Sequence, residues 1–450
     1  MMRPVRSSTV WHVVLAGTLL LSSASRAYGQ STAEDAFRDA GRWTVQVRTS
    51  VNEPFIEDEQ GTWFGAGILV DGERGWVLTN AHVAGYSYGN VAISFVDGKA
   101  VEASRVYVDP YLDLAVLAFD TRHLPPAARV PSLDCASLPP VGHPVGAFGH
   151  PWGFRYTGTR GITSAFTTRL GPNMLQTDAP INEGNSGGPL ISLDSGKVVG
   201  VNAAKIKEQA VEGLSFAVPM PYACTILDLL RAGRDPSPPD RLVDFARDEN
   251  EEQTLVVARS RLPAGSLDLR VGDEIQALAN PARAFATETD LVDALRGRAD
   301  EVVLRVLRDG QTVDVKGHWP PAARVTERRG LLLSGALVAS AEPLTGGLIA
   351  GGPALMVHHV DPGSAAESAG LVDFDLILSV DGAPVESLDA LRDQARMAAA
   401  TDQPLELMLL RFTSEAHDQL FAHERRLLGI EQVQSVGPGS GPAPGSPAVH

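Results

Sequence analysis

The chain has 450 residues, 44% of them hydrophobic and 20% charged, with a formal net charge of −16. That length exceeds one ordinary hydrophobic core and implies two or three domains. The acidic balance, without any Lys/Arg run, argues against a nucleic-acid partner, which would need positive charge to displace phosphate counterions.

At the start, Arg3 and Arg6 precede an apolar stretch at residues 10–21, and Ala27-Tyr28-Gly29 offers small residues for cleavage. Residues 1–29 are therefore predicted to be a cleaved secretory signal peptide. The apolar stretch is shorter than the roughly 20 residues a membrane span requires, and an uncleaved anchor is the alternative. No later segment is apolar enough to span. The two cysteines, Cys135 and Cys224, match no metal or CxxC spacing. In an oxidising compartment they either bridge or stay as two buried thiols, and the sequence leaves both open.

From about residue 41 to residue 230, short strands alternate with tight turns, as an all-β barrel domain requires. Residues 65–70 and 75–79 flank Asp71-Gly72, and residues 91–96 and 100–108 flank Asp97-Gly98, both hairpin signals. Residues 197–202 and 214–218 read as later strands. Tyr222, Ile226, Leu229 and Leu230 have helical spacing and close a domain spanning 30–233. Pro236, Pro238 and Pro239 mark 234–250 as a linker.

Two similar units follow, at 251–320 and 328–415. Gly272-Asp273-Glu274-Ile275 recurs as Phe374-Asp375-Leu376-Ile377. Each copy leads into an amphipathic run (Leu291, Val292, Leu295; Leu388, Leu391, Ala395) and then a closing strand. An extension at 416–436 and a Gly/Pro/Ser-rich tail at 437–450, expected to be disordered, complete the chain.

Three motifs carry chemistry. Ser186 stands in Gly184-Asn185-Ser186-Gly187-Gly188-Pro189, and an oxyanion hole needs such a tight turn of little bulk, with backbone N–H groups aimed at one spot. The expected donors are Gly184 and Ser186. His82 follows the strand-like Trp76-Val77-Leu78-Thr79, and a short turn after a strand fixes the ring as a general base requires. Asp113 opens the apolar run Leu114-Ala115-Val116-Leu117, where a carboxylate is costly unless an imidazole N–H offsets it. Asp109 is a rival, but it precedes Pro110 and suits a turn cap. The chain order His, Asp, Ser is that of the chymotrypsin-type double barrel, not of subtilisins or α/β-hydrolases.

These motifs resemble the HtrA/Deg serine proteases at VLTNAHV (77–83), DLAVL (113–117), QTDAPINEGNSGGPL (176–190) and GLSFAVP (213–219). The resemblance implies a mainly β protein: a chymotrypsin-like double β-barrel followed by two PDZ-like α+β domains. It further implies an ATP-independent endopeptidase of the periplasm acting on unfolded or mislocalised proteins, with no metal or other cofactor. His82, Asp113 and Ser186 would be base, orienter and nucleophile. Ile181, Lys205 and Ile206 would wall the substrate pocket, and the lack of an aspartate at its floor suggests a small aliphatic P1 residue. Family members are trimers or larger, joined just after the signal, where this chain offers Phe37 and Trp43.

Asn185 departs from secreted zymogens, which carry an aspartate before the serine to pair with a newly cut amine. Ordering of the hole is therefore expected from residues 151–162 and 203–213, under a subunit or PDZ ligand. Residues 51–61 are short, so any long regulatory loop found in some relatives is missing. The first PDZ-like unit is preceded by the acidic Asp248-Glu249-Asn250-Glu251-Glu252, which would repel a peptide carboxylate. In the second, Gly330, Leu331, Leu332 and Leu333 form either an open edge for C-terminal peptides to add as a strand or an ordinary buried strand. A rival from another class is a catalytically quiet protease-like chaperone or peptide-binding scaffold.

Overall fold

A computed structural model of the protein describes residues 33–96, 98–150, 156–168, 171–203, 214–247, 253–298, 300–341, 355–385, 387–415 and 418–438. The expected signal peptide, Asp97, Lys205, Ile206 and the acidic run at 248–252 lie outside the described residues, as does most of the expected tail.

After a leading helix, α1 (Ala33–Ala40), six strands form the first barrel: β1 (Thr44–Val51), β2 (Gly61–Asp71), β3 (Trp76–Thr79), β4 (Asn90–Ser94), β5 (Val101–Asp109) and β6 (Leu114–Phe119). Six more form the second: β7 (Pro144–Gly149), β8 (Thr157–Thr167), β9 (Met174–Thr177), β10 (Pro189–Ser192), β11 (Val198–Ala203) and β12 (Ser215–Pro219). Both close with one connectivity, β1-β2-β3-β6-β5-β4 and its counterpart β7-β8-β9-β12-β11-β10. Closure leaves no free edge, and strands such as β6 and β11 are buried almost throughout.

A four-residue helix, α2 (Ala81–Ala84), sits between β3 and β4, and α3 (Met220–Arg231) ends the double barrel. Cys135 and Cys224 are bonded, tying the inter-barrel connection to α3 across 89 positions. Replacing both with serine is expected to lower stability by about 4 kcal/mol, the order set by closing a loop of that length. A urea titration of the oxidised wild type against the double variant measures it.

Phe37 and Trp43 are used inside the chain. Phe37 stacks on Phe148 of the second barrel, and Trp43 is buried in the main core.

The second unit is a sheet ordered β13-β14-β15-β17-β18, with β16 on β15. Its strands are β13 (Val243–Arg247), β14 (Gln253–Ser260), β15 (Glu274–Ala279), β16 (Ala282–Ala284), β17 (Val302–Arg308) and β18 (Gln311–Gly317), covered by α4 (Glu288–Leu295). Strand β13 lies within the expected linker, which is thus shorter than its prolines implied; Ser237 beside them is buried.

The third unit is a sheet ordered β25-β24-β22-β21-β20-β19-β26, with β23 on β22. The strands are β19 (Gly330–Leu333), β20 (Ala336–Ser340), β21 (Leu355–Val360), β22 (Leu376–Val380), β23 (Ala383–Pro384), β24 (Leu405–Glu415), β25 (Asp418–Leu428) and β26 (Val433–Val436), with the helix Leu388–Thr401. The expected extension at 416–436 thus contributes two strands. The repeat read at Asp273 and Asp375 is structural: each carboxylate is buried and held by two nitrogens of one arginine, Arg308 or Arg411.

Candidate active site

His82 is delivered by strand β3 and the helical turn after it. Thr79, the last residue of β3, donates its hydroxyl to Ala66 O at 2.7 Å. The carbonyl of Val83 accepts from both Thr49 Oγ1 at 2.7 Å and Trp63 Nε1 at 3.0 Å, fixing the turn against the barrel wall. Arg105 Nε donates to Ala84 O at 2.8 Å, placing a cation at the end of α2.

Asp113 reaches the same turn from the start of β6, with φ of 53°, a left-handed conformation that aspartate tolerates. Asn80 Nδ2 donates to Asp113 O at 2.8 Å. The carboxylate then grips His82 twice: Oδ1 accepts its backbone N–H at 3.0 Å, and Oδ2 lies 2.7 Å from its Nδ1. Such a bond selects the tautomer with the proton on Nδ1 and leaves the other ring nitrogen able to accept one. His82 keeps 39% of its side-chain exposure, so the ring opens onto solvent.

Ser186 comes from the turn before β10 on the second barrel. Its carbonyl accepts from Ala66 N at 2.8 Å, joining the two barrels at this point. Gly65 shows how closely the parts converge. A Cβ at that position would lie 2.5 Å from Val83 Cγ1 and 3.0 Å from Ser186 O, so the residue beside His82 and the serine's own carbonyl line one space that admits no side chain. Ser186 is 4% exposed, and among the described residues its hydroxyl makes no hydrogen bond. Serine–histidine contacts are commonly long without substrate and tighten on binding.

The backbone of this turn has an alternating pattern. Asn185 N donates to Asn182 O, Gly187 N to Asn202 O and Gly188 N to Asn185 O, whereas among the described residues the N–H groups of Gly184 and Ser186 have no acceptor. The Gly184 carbonyl is turned away, accepting from His150 N at 3.0 Å. The His150 ring packs 4.4 Å from Tyr156, and burial lowers its pKa to about 4. Asn185 is fully buried and its amide has no partner among the described residues, so no ion pair orders this turn.

Ile181 is wholly buried in the core of the second barrel with Val145, Leu175, Leu190 and Val199, while its expected pocket partners Lys205 and Ile206 lie outside the described residues. Asp109 is a turn cap, accepting from Tyr111 N at 2.9 Å and Leu112 N at 3.0 Å.

Asp109 also has a partner no local motif announces: Arg296 of the second unit forms a fully buried ion pair with it. The same face of that unit bonds Asn173 N to Thr289 Oγ1 at 2.8 Å and Asn173 Nδ2 to Thr287 Oγ1 at 3.0 Å. Both threonines lie at the start of α4, so the helix docks its N-terminus on the second barrel.

The loop between β1 and β2 docks on the third unit. Phe55 is fully buried against Leu337 and Ala339, and Glu57 pairs with both terminal nitrogens of Arg328 at 2.8 and 2.7 Å. His358 Nδ1 accepts the Ile56 N–H at 3.2 Å, and its Nε2 faces Ser340 O at 3.3 Å. Burial and the Arg328 cation lower the His358 pKa to about 4, against a raising influence from Glu57. Folding thus favours the neutral ring. The resulting stability is complete above the unfolded value near 6.5 and is lost as pH falls towards about 4. His358→Asn, which keeps an acceptor but cannot titrate, is expected to remove on the order of 2 kcal/mol of that acid-induced loss. Thermal unfolding of both proteins between those pH values tests it.

Two closed six-stranded barrels with an Asp-held histidine and a glycine-flanked serine at their junction define a trypsin-like peptidase domain. A family profile described as the trypsin-like peptidase domain matches residues 65–201. The chain is 31% identical over 363 residues to a probable periplasmic serine endoprotease, DegP-like, of Halomonas elongata, covering 74% of each chain. It is 35% identical over 292 residues to the serine protease Do-like HtrA of Lactococcus lactis, covering 56% of this chain and 70% of that one. Among solved structures it is similar to an HtrA-type protease, AlgW with tripeptide, at a TM-score of 0.50 and 26% identity over 65% of this chain and 98% of that chain. This protein belongs to the HtrA family and is a serine endopeptidase of that type.

Proposed function

We propose that His82, Asp113 and Ser186 are the catalytic triad and that the N–H groups of Gly184 and Ser186 are the oxyanion hole. The observation carrying this reading is the double grip of Asp113 on His82, beside the Ser186 turn at the barrel junction. His82 takes the hydroxyl proton as Ser186 attacks the scissile carbonyl, and the two free N–H groups receive the developing oxyanion. His82 then protonates the leaving amine, and water releases the acyl group by the same route in reverse. Asp113 stays ionised throughout, holding the ring and stabilising the imidazolium.

His150 N holds the Gly184 carbonyl, on the peptide that follows the Gly184 N–H, and so helps fix the turn that aims this donor. A Cβ on Gly149 would lie 2.8 Å from Asn185 Cα and Oδ1 and 3.1 Å from Gly184 O. Gly149→Ala is therefore expected to lower kcat about 10²–10³-fold, the loss of one oxyanion donor, with KM nearly unchanged. Steady-state hydrolysis of a peptide substrate checks it.

In the cell, the protein would reach the periplasm through its N-terminal signal and degrade unfolded chains there, since a cleft of this type takes an extended backbone. The relatives named periplasmic endoproteases support that placement. No helix among the described residues is long and apolar enough to cross a membrane. The second and third units serve as PDZ-like domains, the third capturing peptide, and assembly into a homotrimer or larger oligomer follows from the resemblance alone. Cleavage is expected after small aliphatic residues. Without ATP, the purified protein should digest reduced, unfolded casein and spare a stably folded protein. Peptide capture without any digestion would instead favour the scaffold reading.

A further inference from the structure

Strand β19, read from sequence as either an open edge or an ordinary buried strand, is paired along both sides. All four residues of β19 are buried; β20 pairs along one side, and β26 pairs antiparallel along the other. The register is complete: Gly330 opposes Val436, Leu331 opposes Ser435, Leu332 opposes Gln434 and Leu333 opposes Val433. No residue of β26 is itself buried, so this strand covers more than it is covered.

Its side chains divide as a pleated strand requires. Val433 packs against the third unit's core, which includes Leu331, Leu333 and Leu391. Val436, on the other face, packs against Phe55, Leu337 and Ala339. Phe55 belongs to the protease-domain loop, and Phe55 N donates to Ser87 Oγ at 2.7 Å, just beyond the helical turn that carries His82. Strand β26 thus walls the socket by which the peptidase domain grips the third unit.

We propose that residues 433–436 are a built-in occupant of the third unit's strand-addition site, displaced by an extended segment of unfolded polypeptide. The inference rests on reading that unit as the peptide-capturing one. A four-residue strand held by main-chain bonds is replaceable by any uncharged extended segment, with β-branched residues three apart taking the places of Val433 and Val436. Replacement removes Val436 from the Phe55 socket, so occupancy by substrate alters the grip on the loop joined to the His82 region.

The test uses a fluorescent peptide of residues 431–438 and the full chain carrying Ser186→Ala, so that nothing is cleaved. A second form also lacks residues 431–450. Tethering gives β26 a high effective concentration, so the shortened protein should bind the peptide at least about tenfold more tightly than the intact one. A folded shortened protein that binds no peptide, or equal affinity for both forms, overturns the proposal. If the shortened protein fails to fold, hydrogen exchange of the intact chain decides. Excess peptide should speed exchange at 433–436 while β19 stays protected, and unchanged exchange there refutes displacement. Casein digestion by the active protein is read separately, so failure of capture and failure of proteolysis are told apart.

Discussion

Ser186→Ala is expected to lower the rate of casein cleavage by about 10⁶-fold, the loss found when the nucleophile of such a unit is removed. The change should leave folding almost untouched. The Ser186 hydroxyl bonds no described residue, while the carbonyl that joins the barrels through Ala66 N belongs to the backbone and survives the substitution. Digestion rate and urea midpoint, measured on the same preparations, separate the two effects. Equal digestion by both proteins would remove Ser186 from the chemistry.

A stability loss as large as that of the disulfide is expected from Arg296→Met. Arg296 and Asp109 have no side-chain exposure, and Arg296 Nη1 also donates to Pro236 O at 2.9 Å. Burial works against the Arg296 charge, but the Asp109 carboxylate more than offsets it, and the guanidinium pKa is raised. Removing the cation strands a carboxylate in a low-dielectric interior, at a cost of about 3–5 kcal/mol. Adding Asp109→Asn should restore a good part of this, because the amide keeps an acceptor for Tyr111 and Leu112 without the charge. Denaturant titrations of the two variants decide it, and a cost below about 1 kcal/mol for Arg296→Met would show that the charge finds water. Because the pair joins the first barrel to the second unit, its loss should also separate their unfolding transitions.

The double barrel and the candidate triad were legible because their signals are local. A glycine-flanked serine, a histidine after an apolar strand and an aspartate opening another each sit within a few residues of their cause, and chain order fixed the architecture. The partner of Asp109 was not legible, because Arg296 lies 187 residues away and no pattern ties them. The strand β26 was hidden by composition. Val433-Gln434-Ser435-Val436 is short, half polar and next to a Gly/Pro-rich tail, so it reads as an extension until its pairing with β19 is seen. Residues 51–61, short enough to suggest a missing regulatory loop, instead place Phe55 and Glu57 on the third unit.

A covalent label aimed at the nucleophile addresses the active-site assignment most directly. The intact protein, incubated with a fluorophosphonate and mapped by mass spectrometry, should carry the adduct on Ser186, and Asp113→Asn should slow its formation by about 10⁴-fold through the wrong histidine tautomer. An adduct on another serine, or labelling of Ser186 at equal rates in both proteins, would contradict the assignment of these three residues to one catalytic unit.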